Sequence, residues 1–115
     1  MTSRETLARV RRFQIDEMQR RVAQLETMIA EFSRMARELE REIAVEEQKA
    51  GISDLAHYAY PTYARAARAR RENLQRSAEE LSSQLEEARR FLEDVLASSS
   101  KKRAPDDSGK AQLAG

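Results

Sequence analysis

The sequence of 115 residues predicts an all-α protein, an antiparallel coiled-coil hairpin of two helices. Three observations predict this fold. Apolar residues recur with heptad spacing in two stretches, one interruption with a glycine and a proline separates them, and 36% of the residues are charged while 5% are aromatic. This composition is typical of long helices and coiled coils. Apolar a and d positions let two helices keep one seam in contact as they supercoil.

The first apolar stretch predicts a long helix over about residues 3–50. No Gly or Pro interrupts the chain before Gly51. Thr2 and Glu5 have the spacing of a capping box at the helix start, and Gly51 can take the left-handed conformation that ends a helix. The a and d residues of this stretch are Ile15, Met18, Val22, Leu25, Ile29, Phe32, Ala36, Leu39 and Ile43.

The second apolar stretch predicts a helix over about residues 61–97, after a turn at 51–60 in which Ser53 and Asp54 cap a short helical turn. Pro61 suits the first helical position, where its missing N–H costs nothing. Residues 99–115 show no period, so we expect a disordered tail after a hairpin domain at 1–98. The a and d residues are Ala64, Ala67, Leu74, Ala78, Leu81, Leu85, Ala88, Leu92 and Val95.

The flanking charges suggest how the two helices pair. If they meet at their ends across the interruption, Glu47 lies near Arg68 at e positions. Exposed pairs of this kind contribute only about 0.3–0.5 kcal/mol, so they select a register more than they stabilise it. A slip of one heptad pairs Glu46 with Arg71 instead, so the sequence leaves the exact register open.

The composition indicates a protein without catalytic chemistry. The chain has no Cys, so it offers no thiolate metal site, and its single His, His57, lies beside the turn of a rod that could not bring a Ser–His–Asp set together. Adjacent carboxylates such as Glu46 and Glu47 point to different faces of a helix, and nothing excludes water around them. We expect no enzyme, no cofactor and no metal.

Charge and hydropathy predict a soluble cytoplasmic protein. The net charge is +1, and acidic residues are interleaved with basic ones almost one for one, which disfavours nucleic-acid binding. No stretch approaches the roughly 18 apolar residues of a membrane span. Residues Met1–Val10 have no apolar signal region.

The N-terminal residues Leu7, Val10, Arg11, Arg12 and Phe13 are the first candidate protein-binding site. Their apolar members leave the a and d register. By the expected pairing, this part of the first helix extends past the end of the second. An unpaired amphipathic helix with basic neighbours is typical of a segment that binds a partner.

The turn is the second candidate site. It holds the only His and every Tyr of the chain, namely Tyr58, Tyr60 and Tyr63. Either these aromatic residues cap the end of the seam, or they form a recognition knob, because Tyr is favoured at interfaces.

Two further features remain open between a structural and a functional interpretation. Met28, Met35 and Phe91 occupy g positions, where they either shield the seam edge or offer a face to a third helix. Arg outnumbers Lys among the 21 basic residues. These arginines either form a solvated face with intrahelical pairs or dock an acidic protein surface through bidentate contacts.

The start segment and the turn resemble the flagellar export protein FliJ family in its alphaproteobacterial form. The matching parts are Ser3-Arg4-Glu5-Thr6-Leu7 running into Val10-Arg11-Arg12-Phe13-Gln14, and Gly51-Ile52-Ser53-Asp54 with Ala59-Tyr60-Pro61-Thr62-Tyr63. The second helix is shorter than in many members of that family.

The resemblance implies an antiparallel two-helix coiled coil similar to the central stalk of rotary ATPases. It further implies a component of the flagellar type III export apparatus, which serves motility. Such a stalk links the hexameric export ATPase to the membrane export gate, interacts with export chaperones, and lies peripherally at the inner membrane. In this interpretation the isolated chain is a monomer, and residues Leu7–Phe13 contact the ATPase ring. The competing interpretations are a self-assembling coiled-coil scaffold or adaptor and a small nucleic-acid-binding helix pair.

Overall fold

The computed structural model describes the backbone of residues 3–103 and the side chains of residues 3–98. It consists of two α-helices, α1 at Ser3–Ala50 and α2 at Thr62–Arg103, joined by residues 51–61. No strand occurs within the described range. The all-α helical hairpin predicted from the sequence is confirmed.

The helix α1 has the bounds that the sequence predicts. Glu5 lies in its first turn and Lys49 in its last, where each charge complements the helix dipole. Thr2, the other residue of the expected capping box, lies outside the described residues. Within Ser3–Ala50 there is no Gly or Pro to weaken the helix, so its end is set by Gly51.

The helix α2 differs from its predicted bounds at both ends. It begins at Thr62, because the carbonyl of Pro61 accepts the first helical hydrogen bond, from the Arg65 amide at 3.0 Å. It ends at Arg103, a few residues beyond the predicted end near residue 97. Residues 62–103 contain no Gly or Pro that would end the helix earlier. The rest of the expected tail, 104–115, lies outside the described residues.

The chain divides into two compact units, and one of them is Leu25–Gln84. Its core is a cluster in which large residues of α1 meet small residues of α2, with Ile52 and Leu74 packed against it. Large side chains facing small ones fill the space between helices without voids. The cluster contains Leu39, Ile43, Tyr60, Ala64 and Ala67.

The other unit combines Met1–Gln24 with Leu85–Gly115. Among its seam residues, Leu85 is buried at 9% exposure. The remaining seam residues of this unit are half-buried: Ile15, Met18, Val22, Ala88, Leu92 and Val95. In both units, every residue assigned to an a or d position is buried or half-buried, so the seam assignment is confirmed.

Candidate protein-binding surfaces

The turn begins with a Schellman motif at the end of α1. Gly51 has a φ of 70°, the left-handed region that favours glycine. Its amide is shared between the Glu47 carbonyl at 2.8 Å and the Gln48 carbonyl at 3.3 Å, and the Ile52 amide donates to the Glu47 carbonyl at 3.2 Å. These bonds satisfy carbonyl oxygens that a helix end otherwise leaves free. The apolar side chain of Ile52 then packs against the core cluster.

Two successive turns follow, and each is closed by one backbone hydrogen bond and one hydrogen bond from a backbone amide to a side chain. The His57 amide donates to the Asp54 carbonyl, and the Tyr60 amide donates to the His57 carbonyl, both at 3.1 Å. The Asp54 carboxylate accepts from the Ala56 amide, and the Nδ1 atom of His57 accepts from the Ala59 amide, both at 3.0 Å. Asp54 therefore caps the first turn, as the sequence suggests, but the segment forms two separate turns and no helix, because Asp54 and His57 each bind the backbone amide two residues on.

The turn presents an exposed aromatic residue on this fixed backbone. Tyr58 is 96% exposed, and its ring stacks on the His57 ring at 4.7 Å between centroids and 22° between planes. Leu55 is also exposed, at 42%. The guanidinium of Arg65 donates to the Leu55 carbonyl at 2.9 Å, which ties the first turns of α2 to the turn.

Tyr60 has a different environment from Tyr58, although both are candidate site residues. Tyr60 is only 5% exposed and belongs to the core cluster, so its ring is not available to a partner. Its hydroxyl donates to Glu47 Oε2 at 2.7 Å and accepts from Arg68 Nε at 2.7 Å. Arg68 also donates to Glu47 Oε2, at 2.8 Å, which closes a ring of three hydrogen bonds.

The predicted pairing of Glu47 with Arg68 is thus confirmed. The hydrogen bonds from Arg68 and then from Tyr60 lower the pKa of the Glu47 carboxyl, because they stabilise its charged form. The hydrogen bond to Glu47 raises the pKa of Arg68 in return. We call this group, Glu47, Tyr60 and Arg68, the e flank of the hairpin. The composition of the turn does not reveal these contacts of Tyr60, although Tyr60 occupies the d position that precedes Ala64.

The opposite flank of the same unit is more exposed and mixes apolar with charged residues. In a hairpin, e and g positions lie on opposite sides of the seam. Tyr63 is 50% exposed, and its hydroxyl donates to Glu42 Oε2 at 3.0 Å, which raises the pKa of Tyr63. We call the surface formed by the following g positions the g flank: Met28, Met35, Glu42, Tyr63 and Arg70.

Two shallow grooves run along the g flank. The first is lined by Arg41, Glu42, Val45, Glu46 and Tyr63. The second is lined by Phe32, Arg70, Asn73, Leu74 and Ser77. Val45 is 48% exposed and Met28 is 40% exposed, so the apolar atoms of this flank are only partly covered by their own chain.

The N-terminal candidate residues are exposed as well. Leu7, Val10 and Phe13 are 60%, 48% and 63% exposed, Arg12 is exposed, and Arg11 is half-buried. The expectation that α1 extends far past its partner rested on an end of α2 near residue 97. Because α2 continues to Arg103, the unpaired part of α1 is shorter than expected. Leu7, Val10 and Phe13 are nevertheless exposed.

Three arginine ion pairs within the described range are local. Arg20 pairs with Glu17, Arg34 with Glu38 and Arg90 with Glu86, each one helical turn away and largely exposed. Such pairs fit the solvated-face interpretation.

Arg71 is an exception that sequence analysis missed. It lies at an a position, seven residues after Ala64, and its Nε atom is buried without a hydrogen bond. A polar group at one a position is a common way for coiled coils to select a register.

No group of metal-ligating side chains converges in the part of the chain that the structure describes. Over the same residues, neither helix is both long and apolar enough to cross a membrane. Comparisons with family models, with curated proteins and with solved structures gave no match.

Proposed function

We propose that the chain is a non-enzymatic coiled-coil stalk of the flagellar type III protein export apparatus. In this role it couples the hexameric export ATPase to the membrane export gate and interacts with export chaperones. The protein would lie peripherally at the inner membrane. The observation that carries the proposal is the exposed apolar row Leu7, Val10 and Phe13 beside Arg11 and Arg12. The resemblance of the start segment and the turn to the FliJ family supports the same role.

The hairpin has the mechanical properties that a stalk requires. Its turn is fixed by the Schellman motif at Gly51 and by the two closed turns that follow. The e flank joins α1 to α2 through Glu47, Tyr60 and Arg68. A hairpin braced in this way transmits a force applied to its helices better than one with a mobile hinge.

The N-terminal residues supply the contact with the ATPase ring. Apolar side chains at Leu7, Val10 and Phe13 follow the spacing of about one helical turn, so they share one face of α1. Arg11 and Arg12 add cations next to that face, and cations steer a helix toward an acidic surface. An amphipathic helix of this composition fits an apolar groove with an acidic rim.

Charge reversal at Arg11 and Arg12 tests the ring contact. We expect Arg11→Glu with Arg12→Glu to weaken binding to the purified export ATPase by about tenfold or more, because like charges at an interface are strongly penalised. Circular dichroism should show an unchanged helix content. The matched control is Arg89→Glu with Arg90→Glu, an adjacent arginine pair on α2, which should change binding much less. A folded Arg11/Arg12 variant that binds the ATPase normally and restores motility in cells would contradict the ring contact.

A self-assembling scaffold is the second candidate, because the g flank leaves apolar atoms of Met28, Val45 and Tyr63 exposed. Two hairpins that joined at this flank would form a four-helix bundle. Light scattering at micromolar concentration separates the candidates, since the stalk is a monomer and the scaffold is a dimer or larger.

A further inference from the structure

Two charged residues interrupt the apolar seam of the unit Leu25–Gln84. Glu46 occupies the d position after Leu39, and Arg71 occupies the a position after Ala64. Both are half-buried, and the Nε atom of Arg71 is buried without a hydrogen bond. A buried donor that lacks an acceptor lowers the stability of a fold, so the seam has an unfavourable site at Arg71.

The hydrogen bonds between the helices show which seam residues face each other. On the e flank Arg68 binds Glu47, and on the g flank Tyr63 binds Glu42. The layers of the seam lie midway between these two bonds, because e and g positions border the seam on opposite sides. Each charged seam residue therefore faces an apolar one. The two pairs are Arg71 with Leu39 and Glu46 with Ala64.

A slip of one heptad brings the two charges together. If α2 moves toward the turn by one heptad, which is about 10 Å along the helix axis, Arg71 leaves Leu39 and faces Glu46. On the g flank the same slip places Arg70 opposite Glu42, a second pair of opposite charges. The other layers of this unit stay apolar after the slip. They pair Ile43 with Leu74, Leu39 with Ala78, and Ala36 with Leu81.

The connection between the helices is long enough for this slip, but the turn must open. The chain leaves α1 at Ala50 and enters α2 at Thr62, and residues 51–61 can span about 35 Å when extended. The slip breaks the hydrogen bonds of the e flank and withdraws Tyr60 from the core cluster. These losses make the slipped register the minor state and the register of the structure the resting one.

We propose that the hairpin has a second register, one heptad from the resting one, in which Arg71 and Glu46 pair within the seam. Polar residues at single seam positions select registers in coiled coils, and here the two polar residues select a register other than the resting one. The e flank holds the resting register, so a load that opens the e flank lets α2 slide along α1. This device belongs to the hairpin itself and does not depend on the flagellar assignment.

Engineered disulfides in the full chain distinguish the registers, because the chain has no Cys of its own. A disulfide cannot join Cα atoms more than about 7 Å apart, so it does not bridge residues offset by one heptad. Ala36→Cys is combined with Leu74→Cys to trap the resting register, or with Leu81→Cys to trap the slipped one. The control combines Ala36→Cys with Ala67→Cys, which requires a slip in the opposite direction and leaves Arg71 and Glu46 apart.

We expect the disulfide between positions 36 and 74 to form fastest under mild oxidation. The disulfide between positions 36 and 81 should form about tenfold more slowly or slower, because it traps a minor state. The disulfide between positions 36 and 67 should form far more slowly than either. Non-reducing electrophoresis separates links within one chain from links between two chains, and circular dichroism establishes that each reduced variant is folded.

The charges of the seam should control the slipped disulfide. In the variant with Cys at positions 36 and 81, Arg71→Leu should slow disulfide formation by about tenfold, because Glu46 then enters the slipped seam without a partner. The matched control Arg76→Leu removes an exposed arginine outside the seam and should leave the rate unchanged. Exchanging the charges, with Glu46→Arg and Arg71→Glu together, should restore the rate.

Three results would overturn this inference. A disulfide between positions 36 and 81 that forms no faster than the one between 36 and 67 would indicate local unfolding rather than a defined second register. Links that form only between two chains would show that the helices of one hairpin do not slide. A rate that Arg71→Leu leaves unchanged, or that the exchanged charges do not restore, would show that Arg71 and Glu46 do not pair in the slipped seam.

Discussion

The e flank and the g flank belong to the same unit of the hairpin and border the same seam, yet they are built differently. On the e flank, Tyr60 is 5% exposed and three hydrogen bonds join it to Glu47 and Arg68. On the g flank, Tyr63 is 50% exposed and makes a single hydrogen bond across the helices, to Glu42.

The difference shows that in a two-helix hairpin one flank can stabilise the fold while the other stays exposed to partners. A two-helix hairpin has little interior, so each flank that closes adds a large share of its stability. The e flank closes the seam near the turn with a tyrosine ring and an ion pair. The g flank leaves Met28 and the grooves beside Phe32 and Val45 open, which keeps apolar area for a partner.

The largest expected effect comes from truncating the two tyrosines that define the comparison. Tyr60→Ala should lower the free energy of unfolding by about 3 kcal/mol, because it empties a site in the core cluster and leaves Glu47 and Arg68 without their shared partner. Tyr63→Ala should lower the free energy of unfolding far less, since half of the Tyr63 surface already faces solvent. Thermal melts by circular dichroism measure both. Equal losses for the two variants would show that the flanks do not differ in stability.

The hydroxyl of Tyr60 should account for a smaller part of that effect. Tyr60→Phe keeps the ring in the cluster but removes the donor to Glu47 and the acceptor for Arg68. We expect a loss of about 1 kcal/mol, the usual contribution of one hydrogen bond, because Glu47 and Arg68 still pair directly. The same change at Tyr63 is the control and should shift the melting midpoint less. A larger loss from Tyr63→Phe than from Tyr60→Phe would reverse the assigned roles of the flanks.

Acid should weaken the e flank. The pKa of Glu47 lies below its ordinary value of 4.5 because Arg68 and Tyr60 bond to its carboxylate. A lowered pKa in the folded state adds stability above the ordinary pKa, and that stability is lost as pH falls through the folded pKa. Glu47→Gln should therefore melt at a lower temperature than the wild type at pH 7, and the difference in melting temperature should narrow as the pH falls below 4.5. A gap that stays constant over this range would show that the Glu47 charge does not stabilise the fold.

Sequence reasoning recovered the fold and the seam because both depend on local and periodic signals. The heptads predicted which residues are buried, and Gly51 predicted the end of α1. The pairing of Glu47 with Arg68 followed from the same register, and the structure decides it against the slip that joins Glu46 to Arg71.

The predictions differ from the structure at the end of α2, where the sequence pattern is weak, and at the turn, where contacts join residues far apart in sequence. A run of Ser and Lys carries no apolar period, yet it also carries nothing that stops a helix, so α2 continues to Arg103. The ring of Tyr60 lies at the d position before Ala64, but its hydrogen bonds to Glu47 and Arg68 join residues across the turn, which composition does not reveal. The side-chain bonds of Asp54 and His57 to the backbone are likewise visible only once the turn is built.

The smallest expected effect comes from making the g flank polar. Met28 is 40% exposed, and Gln has nearly the same helix propensity as Met, so Met28→Gln changes polarity with little change in backbone preference. If this flank binds a partner, the free energy of unfolding of the variant should lie within about 0.5 kcal/mol of the wild-type value, as is usual for exposed substitutions. The matched control Leu39→Gln places the same amide in the core cluster, where Leu39 is 7% exposed, and should melt at a much lower temperature. A marked loss of stability in Met28→Gln would show that Met28 shields the seam. The g flank would then stabilise the fold, as the e flank does.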